Sequence, residues 1–243
     1  MSNSLREHFI RTNASKKAKA ANNDPRLSAQ VLGRRAGTTM VSQSTPVSDA
    51  QSNDANPDAG GSIELKFWND DQQLSNIQSI SHKVELKKEF LPFYMPWIEG
   101  TIAEGVGGQN DMLIKLMVWC LDAHDFKTAT DIAEYALLND FVMPEPFTRD
   151  VATVFVEQLS DELLSIRKDT DTAVYTDLIQ RVIDSTTSQD MPDQVRAKLY
   201  RAFGDSLKDA KPDEAITAYE IAIKLDDKVG RKKDLAQLTK AGE

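Results

Sequence analysis

From residue 74 onward the apolar positions of this chain recur mostly at helical intervals. Leu74, Ile77, Ile80, Val84 and Leu91 begin the pattern, with Ile77, Val84 and Leu91 seven apart and so on one helix face. Ser81 and Lys88 interrupt the companion seam, so the stripe does not predict a long coiled coil. Pro92 and Pro96 are expected to end this helix and start the next, because proline suits a first turn and disrupts an interior. The cluster around them, Phe90, Phe93, Tyr94 and Trp97, then reads as a corner wedging two helices at a fixed angle. A second reading is a subunit interface built from Ile77, Val84, Leu91, Phe93, Tyr94 and Trp97.

Helical hairpins follow. Ile114, Met117, Val118 and Leu121, a polar turn AHDFK, and Ala129, Ala133 and Ala136 form one set of positions. The same offsets recur 86 residues later as Tyr200, Phe203, Gly204 and Leu207, a turn KDAKP, and Ala215, Tyr219 and Ala222. The second copy approaches the tetratricopeptide pattern, in which small residues let two helices approach closely and large ones fill the space beside them. Between the copies, Thr148 to Leu164 and Thr170 to Ile183 predict two further amphipathic helices, the second through Val174, Leu178 and Val182. The expectation is an all-α chain with TPR-like hairpins over residues 110–243, a central helical region for oligomerisation over 62–109, and no strands of consequence. Scaffolds of this kind usually bind other proteins.

Charge divides the chain differently. The total of 243 residues carries a net charge of −9. Residues 1–36, however, hold Arg6, Arg11, Lys16, Lys17, Lys19, Arg26, Arg34 and Arg35 against Glu7 and Asp24, a net of +6. Residues 37–61 are rich in Ser, Thr, Asn, Asp and Gly, carry three aspartates, and read as a flexible linker. The remainder has 21 basic and 33 acidic side chains, a net of −12. An acidic body repels polyanions, so any nucleic-acid contact is expected on the basic arm. A narrow apolar stripe of Leu5, Phe9 and Ile10 could give that arm a short helix, too small for an independent domain.

Catalytic chemistry finds little support. His8, His82 and His124 lie far apart without metal-ligand spacing, and GVGGQ at Gly105 to Gln109 lacks the lysine of a phosphate loop. The single cysteine, Cys120, sits in the apolar run MLIKLMVWCL and reads as a buried hydrophobe. No signal peptide opens the chain and the longest apolar run, Phe90 to Ile98, spans nine residues, so a cytosolic protein without a membrane span is expected. One pattern suggests a metal-dependent nuclease: Pro57-Asp58 followed by Glu64-Leu65-Lys66 or Glu85-Leu86-Lys87 has the letters PD…ExK. That chemistry places its carboxylates and lysine around divalent metal on adjoining strands, whereas these triplets fall in or beside helices. No cofactor is expected, apart from Mg2+ under this alternative.

Three separate signatures carry a family resemblance: LPFYMPWI with Leu91, Pro92, Phe93, Pro96 and Trp97; WCLDAHDFKTATDIAEYAL with Trp119, Leu121, Asp122, Asp125, Ala129, Ile132, Ala133, Tyr135, Ala136 and Leu137, followed by Met143-Pro144; and DMPDQVRAKL, Asp190 to Leu199. In this order they resemble the small terminase subunit of temperate contractile-tailed bacteriophages. The resemblance implies a protein of the bacterial host cytoplasm that recognises double-stranded phage DNA at the packaging site. It also implies recruitment of the large terminase subunit and assembly as a homo-oligomeric ring. Members of that family are labelled the endonuclease subunit, and the cutting is expected of the holoenzyme rather than of this chain. A protein-only adaptor, with the arm docking on the large subunit, is the third alternative.

Overall fold

The computed structural model describes residues 59–241, except 106, 168 and 169. Nine α-helices follow one another among these residues, and there is no strand. They are α1 (Ala59–Ser75), α2 (Ile80–Glu104), α3 (Asp111–Asp122), α4 (Phe126–Leu138), α5 (Val151–Ile166), α6 (Thr176–Thr186), α7 (Asp193–Leu207), α8 (Pro212–Leu225) and α9 (Lys232–Ala241). The all-α expectation holds for the described residues.

Side chains set the starts of several helices. Asn110 accepts from the Leu113 N–H at 2.9 Å, Asp125 from Thr128 at 3.1 Å and Asp150 from Thr153 at 2.8 Å. Each satisfies an amide that a first turn leaves without an intrahelical partner, which stabilises the helix by about 1 kcal/mol. Helix α3 is the pillar of the body. Its Leu113, Ile114, Leu116, Met117, Cys120 and Leu121 are all sealed from solvent, and it touches α2, α4 and α5. A short helix apolar on nearly every side is stable in water only when surrounded in this way.

One apolar core joins α1 to α7, from Phe67 and Leu74 through Trp119, Phe155 and Val182 to Leu199 and Ala202. Two small clusters continue it under the last three helices, Ala197 with Ala222 and Val229, and Leu207 with Ala215 and Tyr219. Both repeated hairpins form where their offsets place them, α3 with α4 and α7 with α8. Ala129, Ala133 and Ala136 in the first and Ala215, Tyr219 and Ala222 in the second are all fully buried.

Four expectations are corrected. The stretch from Leu74 to Leu91 is not one helix: α1 ends at Ser75, and Ser79 caps a new helix by accepting from the His82 N–H at 3.3 Å. Ile77 therefore sits in the connection rather than on a face with Val84 and Leu91. Pro92 and Pro96 do not form a corner, because α2 runs through both. The prolines face solvent, where the carbonyls they leave without a donor can bond water, while Leu91, Tyr94 and Ile98 anchor the opposite side in the core. The expected linker ends early, with α1 starting at Ala59. Finally, the helix expected from Thr170 begins only at Thr176, after a 3-10 turn over Thr172–Tyr175 that Asp171 caps and that leaves Val174 exposed.

Candidate functional site

The eight basic residues predicted to hold DNA, Arg6, Arg11, Lys16, Lys17, Lys19, Arg26, Arg34 and Arg35, lie outside the described residues. Asp58 of the nuclease pattern does too. What the fold displays is the surface beside them in sequence, made by α1 and α2.

Tyr94 is the centre of that region. It is fully buried, its ring meets Phe67 edge-on at 5.9 Å and Trp119 at 6.2 Å, and its hydroxyl donates to Asp70 Oδ2 at 2.5 Å. Burial, with the neighbouring Asp70 carboxylate, pushes the Tyr94 phenol well above its ordinary range, so it stays a proton donor. Lys66 bonds the same carboxylate at 2.5 Å and lies 4.9 Å from the centre of the Phe93 ring. Lys115 likewise bridges Asp71 at 2.8 Å and covers Trp68 at 4.5 Å. Lys115 on α3 thus clamps α1 through both charge and a ring face, while Lys66, paired within α1, reaches α2 through the Phe93 ring.

The predicted interface residues divide. Leu91 and Tyr94 belong to the chain's own core, Ile77, Val84 and Trp97 are half-buried, and Phe93 is exposed at 53%. Leu65 and Trp68 on α1 are also exposed, and sequence periodicity beginning at Leu74 had not pointed to them. The signal available was the pair Leu65 and Trp68, three apart on one helix face and flanked by Glu64 and Asn69.

A second constellation, unforeseen in the sequence, closes the C-terminal end. The Asp205 carboxylate, 8% exposed, accepts from the Tyr219 hydroxyl at 2.8 Å, from Arg231 at 2.6 Å and from Arg167 at 3.1 Å. Burial nevertheless raises the Asp205 carboxyl above its ordinary value, with the Tyr219 bond and Arg167 acting against that shift. Arg167, Asp205 and Arg231 line a polar cleft of about 820 Å³ together with Thr172 and Lys208. They join α5, α7, α8 and the start of α9, and no group in this network has the arrangement of a nucleophile with its base.

The nuclease letters are dispersed. Glu64-Leu65-Lys66 is on α1 and Glu85-Leu86-Lys87 on α2. Lys66 is engaged by Asp70, Lys87 by Asp122, and Glu85 by Lys88 at 3.0 Å. Among the described residues no three His, Cys, Asp or Glu side chains come together as a metal site. His124 meets Glu162 at 3.1 Å and His82 is exposed. Cys120 is sealed in the core, where burial raises its thiol and keeps it protonated. Gln109 at the end of GVGGQ has a structural part: it donates to the Val142 carbonyl at 2.9 Å and accepts from the Val142 N–H at 2.9 Å, tying the start of α3 to the loop after α4. No helix of the described residues is long and apolar enough to cross a membrane.

Comparison with known proteins places this arrangement. The family model for the phage small terminase subunit matches residues 64–194, from α1 to the start of α7. The chain is 35% identical over 176 residues to the terminase, endonuclease subunit of Escherichia phage P2, covering 72% of this chain and 70% of that protein. It is 26% identical over 98 residues to the probable terminase, endonuclease subunit of Haemophilus phage HP1, covering 40% of this chain and 35% of that protein. No solved structure matches it. The matched span contains the aromatic nest of α1 and α2, the central α3 and the first hairpin, and the chain therefore belongs to the phage small terminase subunit family.

Proposed function

We propose that this chain recognises double-stranded phage DNA at the packaging site through its basic N-terminal residues and recruits the large terminase subunit through its helical body, in the host cytoplasm. The observation that carries the reading is the separation of charge, +6 on residues 1–36 against −12 on residues 62–243, in a chain of this family. Phosphate contacts by Arg6, Arg11, Lys16, Lys17, Lys19, Arg26, Arg34 and Arg35 would supply attraction that falls steeply with salt. One such segment binds weakly, and several held in a ring would raise avidity by about 10² to 10⁴. Self-association would use the α1–α2 surface around Phe93, with Trp97, Val84 and Ile77 at its half-buried margin.

The test is a gel-shift series against salt with the full chain and with R11Q/K16Q/K17Q/K19Q. Four fewer phosphate contacts are expected to reduce the salt slope by about 3 to 4 on a log–log plot. An unchanged slope would refute the assignment.

The name endonuclease subunit, carried by both relatives, supports a second reading, in which this chain itself cuts DNA with Mg2+. Magnesium-dependent nicking by the purified chain, abolished by D58A or E85A, is its test. Under the first reading cutting belongs to the large subunit or the complex, and the purified chain leaves supercoiled DNA intact.

A further inference from the structure

We propose that the solvent-facing side of α2 is a docking surface for the chain's own residues 1–36, which rest there until DNA displaces them. Glu85, Glu89, Pro92, Pro96, Glu99 and Ala103 succeed one another at steps of three and four, and all are exposed. They form one stripe along the helix, opposite the buried Leu91, Tyr94 and Ile98. The cation beside that stripe, Lys88, is taken by Glu85 at 3.0 Å. Glu89 and Glu99 have no ion-pair or hydrogen-bond partner among the described residues.

The stripe is also rich in acceptors of another kind. Proline has no N–H, so the carbonyls of Lys88 and Pro92 receive no helical hydrogen bond from Pro92 and Pro96. Two carbonyls without their usual i+4 donor therefore lie between glutamates on the exposed side of a continuous helix. Exposed Phe93 at the edge adds a ring face of the kind that Lys66 already uses. Carboxylates, free carbonyls and an aromatic face all select a partner with several N–H donors and positive charge.

Residues 1–36 fit that description, with eight lysine and arginine side chains and a net charge of +6. They are also tethered close by. The 22 residues from 37 to 58 join them to the start of α1, and a chain of that length can span at most roughly 75 Å. Helix α2 has 25 residues and is about 37 Å long, so the reach covers most of its stripe. Tethering supplies an effective concentration in roughly the millimolar range, which lets individually weak exposed pairs hold the segment. DNA has a far denser line of negative charge than three glutamates and would outcompete the helix, whereas isolated anions would not. Only this competition step rests on the proposed DNA-binding role.

The experiment uses the full chain with a photoreactive p-benzoylphenylalanine in place of Ala103, an exposed position that alters neither the charges nor the prolines. Photolysis without DNA in low salt is expected to give crosslinks within one chain to peptides of residues 1–36. The variant E85Q/E89Q/E99Q should lower their yield about fivefold or more, and about 0.5 M salt should do the same to the unsubstituted stripe. Absence of crosslinks to residues 1–36, a yield indifferent to both charge and salt, or crosslinks only between two copies would each overturn the docking. Saturating duplex DNA is expected to abolish the crosslink; if the DNA-free crosslink forms and duplex leaves it unchanged, the competition is overturned while the docking stands.

Discussion

The ring of Tyr219 lies against Gly204 so closely that a methyl group on that glycine would sit 2.4 Å from Cε1 and 2.6 Å from Cδ1. The ring cannot easily withdraw, since it is fully buried and its hydroxyl is bound to Asp205 at 2.8 Å. The equivalent pair in the first hairpin is Val118 with Ala133, so the two hairpins fill the same place with opposite divisions of bulk.

G204A is therefore expected to destabilise the chain. Overpacking costs about 1 to 3 kcal/mol and helix propensity returns up to about 1, leaving a net loss of about 1 to 2 kcal/mol. Denaturant midpoints of G204A, Y219A and the double variant check this, because the added methyl should cost nothing further once the ring is gone.

Asp205 holds two guanidinium groups that its removal would strand. D205A is expected to cost about 3 to 5 kcal/mol, the range for breaking a buried ion pair from one side. Its pH dependence has the opposite sign to that of most paired carboxylates. Because burial raises its folded-state value above 3.8, the folded chain retains a proton that the unfolded chain has released. This group's contribution therefore grows as pH falls through the raised value towards 3.8 and is lost as pH rises through it. Chemical denaturation of the unsubstituted chain and D205N across that interval should show the difference between them moving in favour of the unsubstituted chain on acidification.

Pro92 and Pro96 interrupt the hydrogen-bond ladder of α2 on a side that no other described residue covers. P96A should restore one backbone bond and raise stability by about 1 to 2 kcal/mol, less than the full helix-interior penalty because proline also restricts the unfolded chain. A lower melting temperature would mean that proline at this position is itself needed to seat Leu91 and Ile98.

Gln109 clasps the backbone of Val142 with both ends of its amide. Q109A should destabilise the chain by only about 1 kcal/mol, since the bonds are exposed to water. Its local signature is specific: hydrogen exchange at the Val142 amide should accelerate, while that of the α3 amides should follow global stability.

The sequence by itself determined the helical class, the two hairpins and the family signatures. Period and offset carry that information, and Ala129, Ala133, Ala136, Ala215 and Ala222 report close helix approach without any knowledge of what they touch. It also located the segregation of charge, on which the reading of residues 1–36 rests. Only tertiary structure decided where helices break. A local rule for proline places a break at Pro92, but the buried anchors Leu91, Tyr94 and Ile98 hold α2 together, and the chain turns instead at Asn76 to Ser79, where a serine supplies the cap. The same holds for the polar constellations. Asp70 with Tyr94, and Asp205 with Arg167, Tyr219 and Arg231, come from positions 14 to 38 residues apart and have no periodic trace, because such pairs are selected by distance in space rather than along the chain.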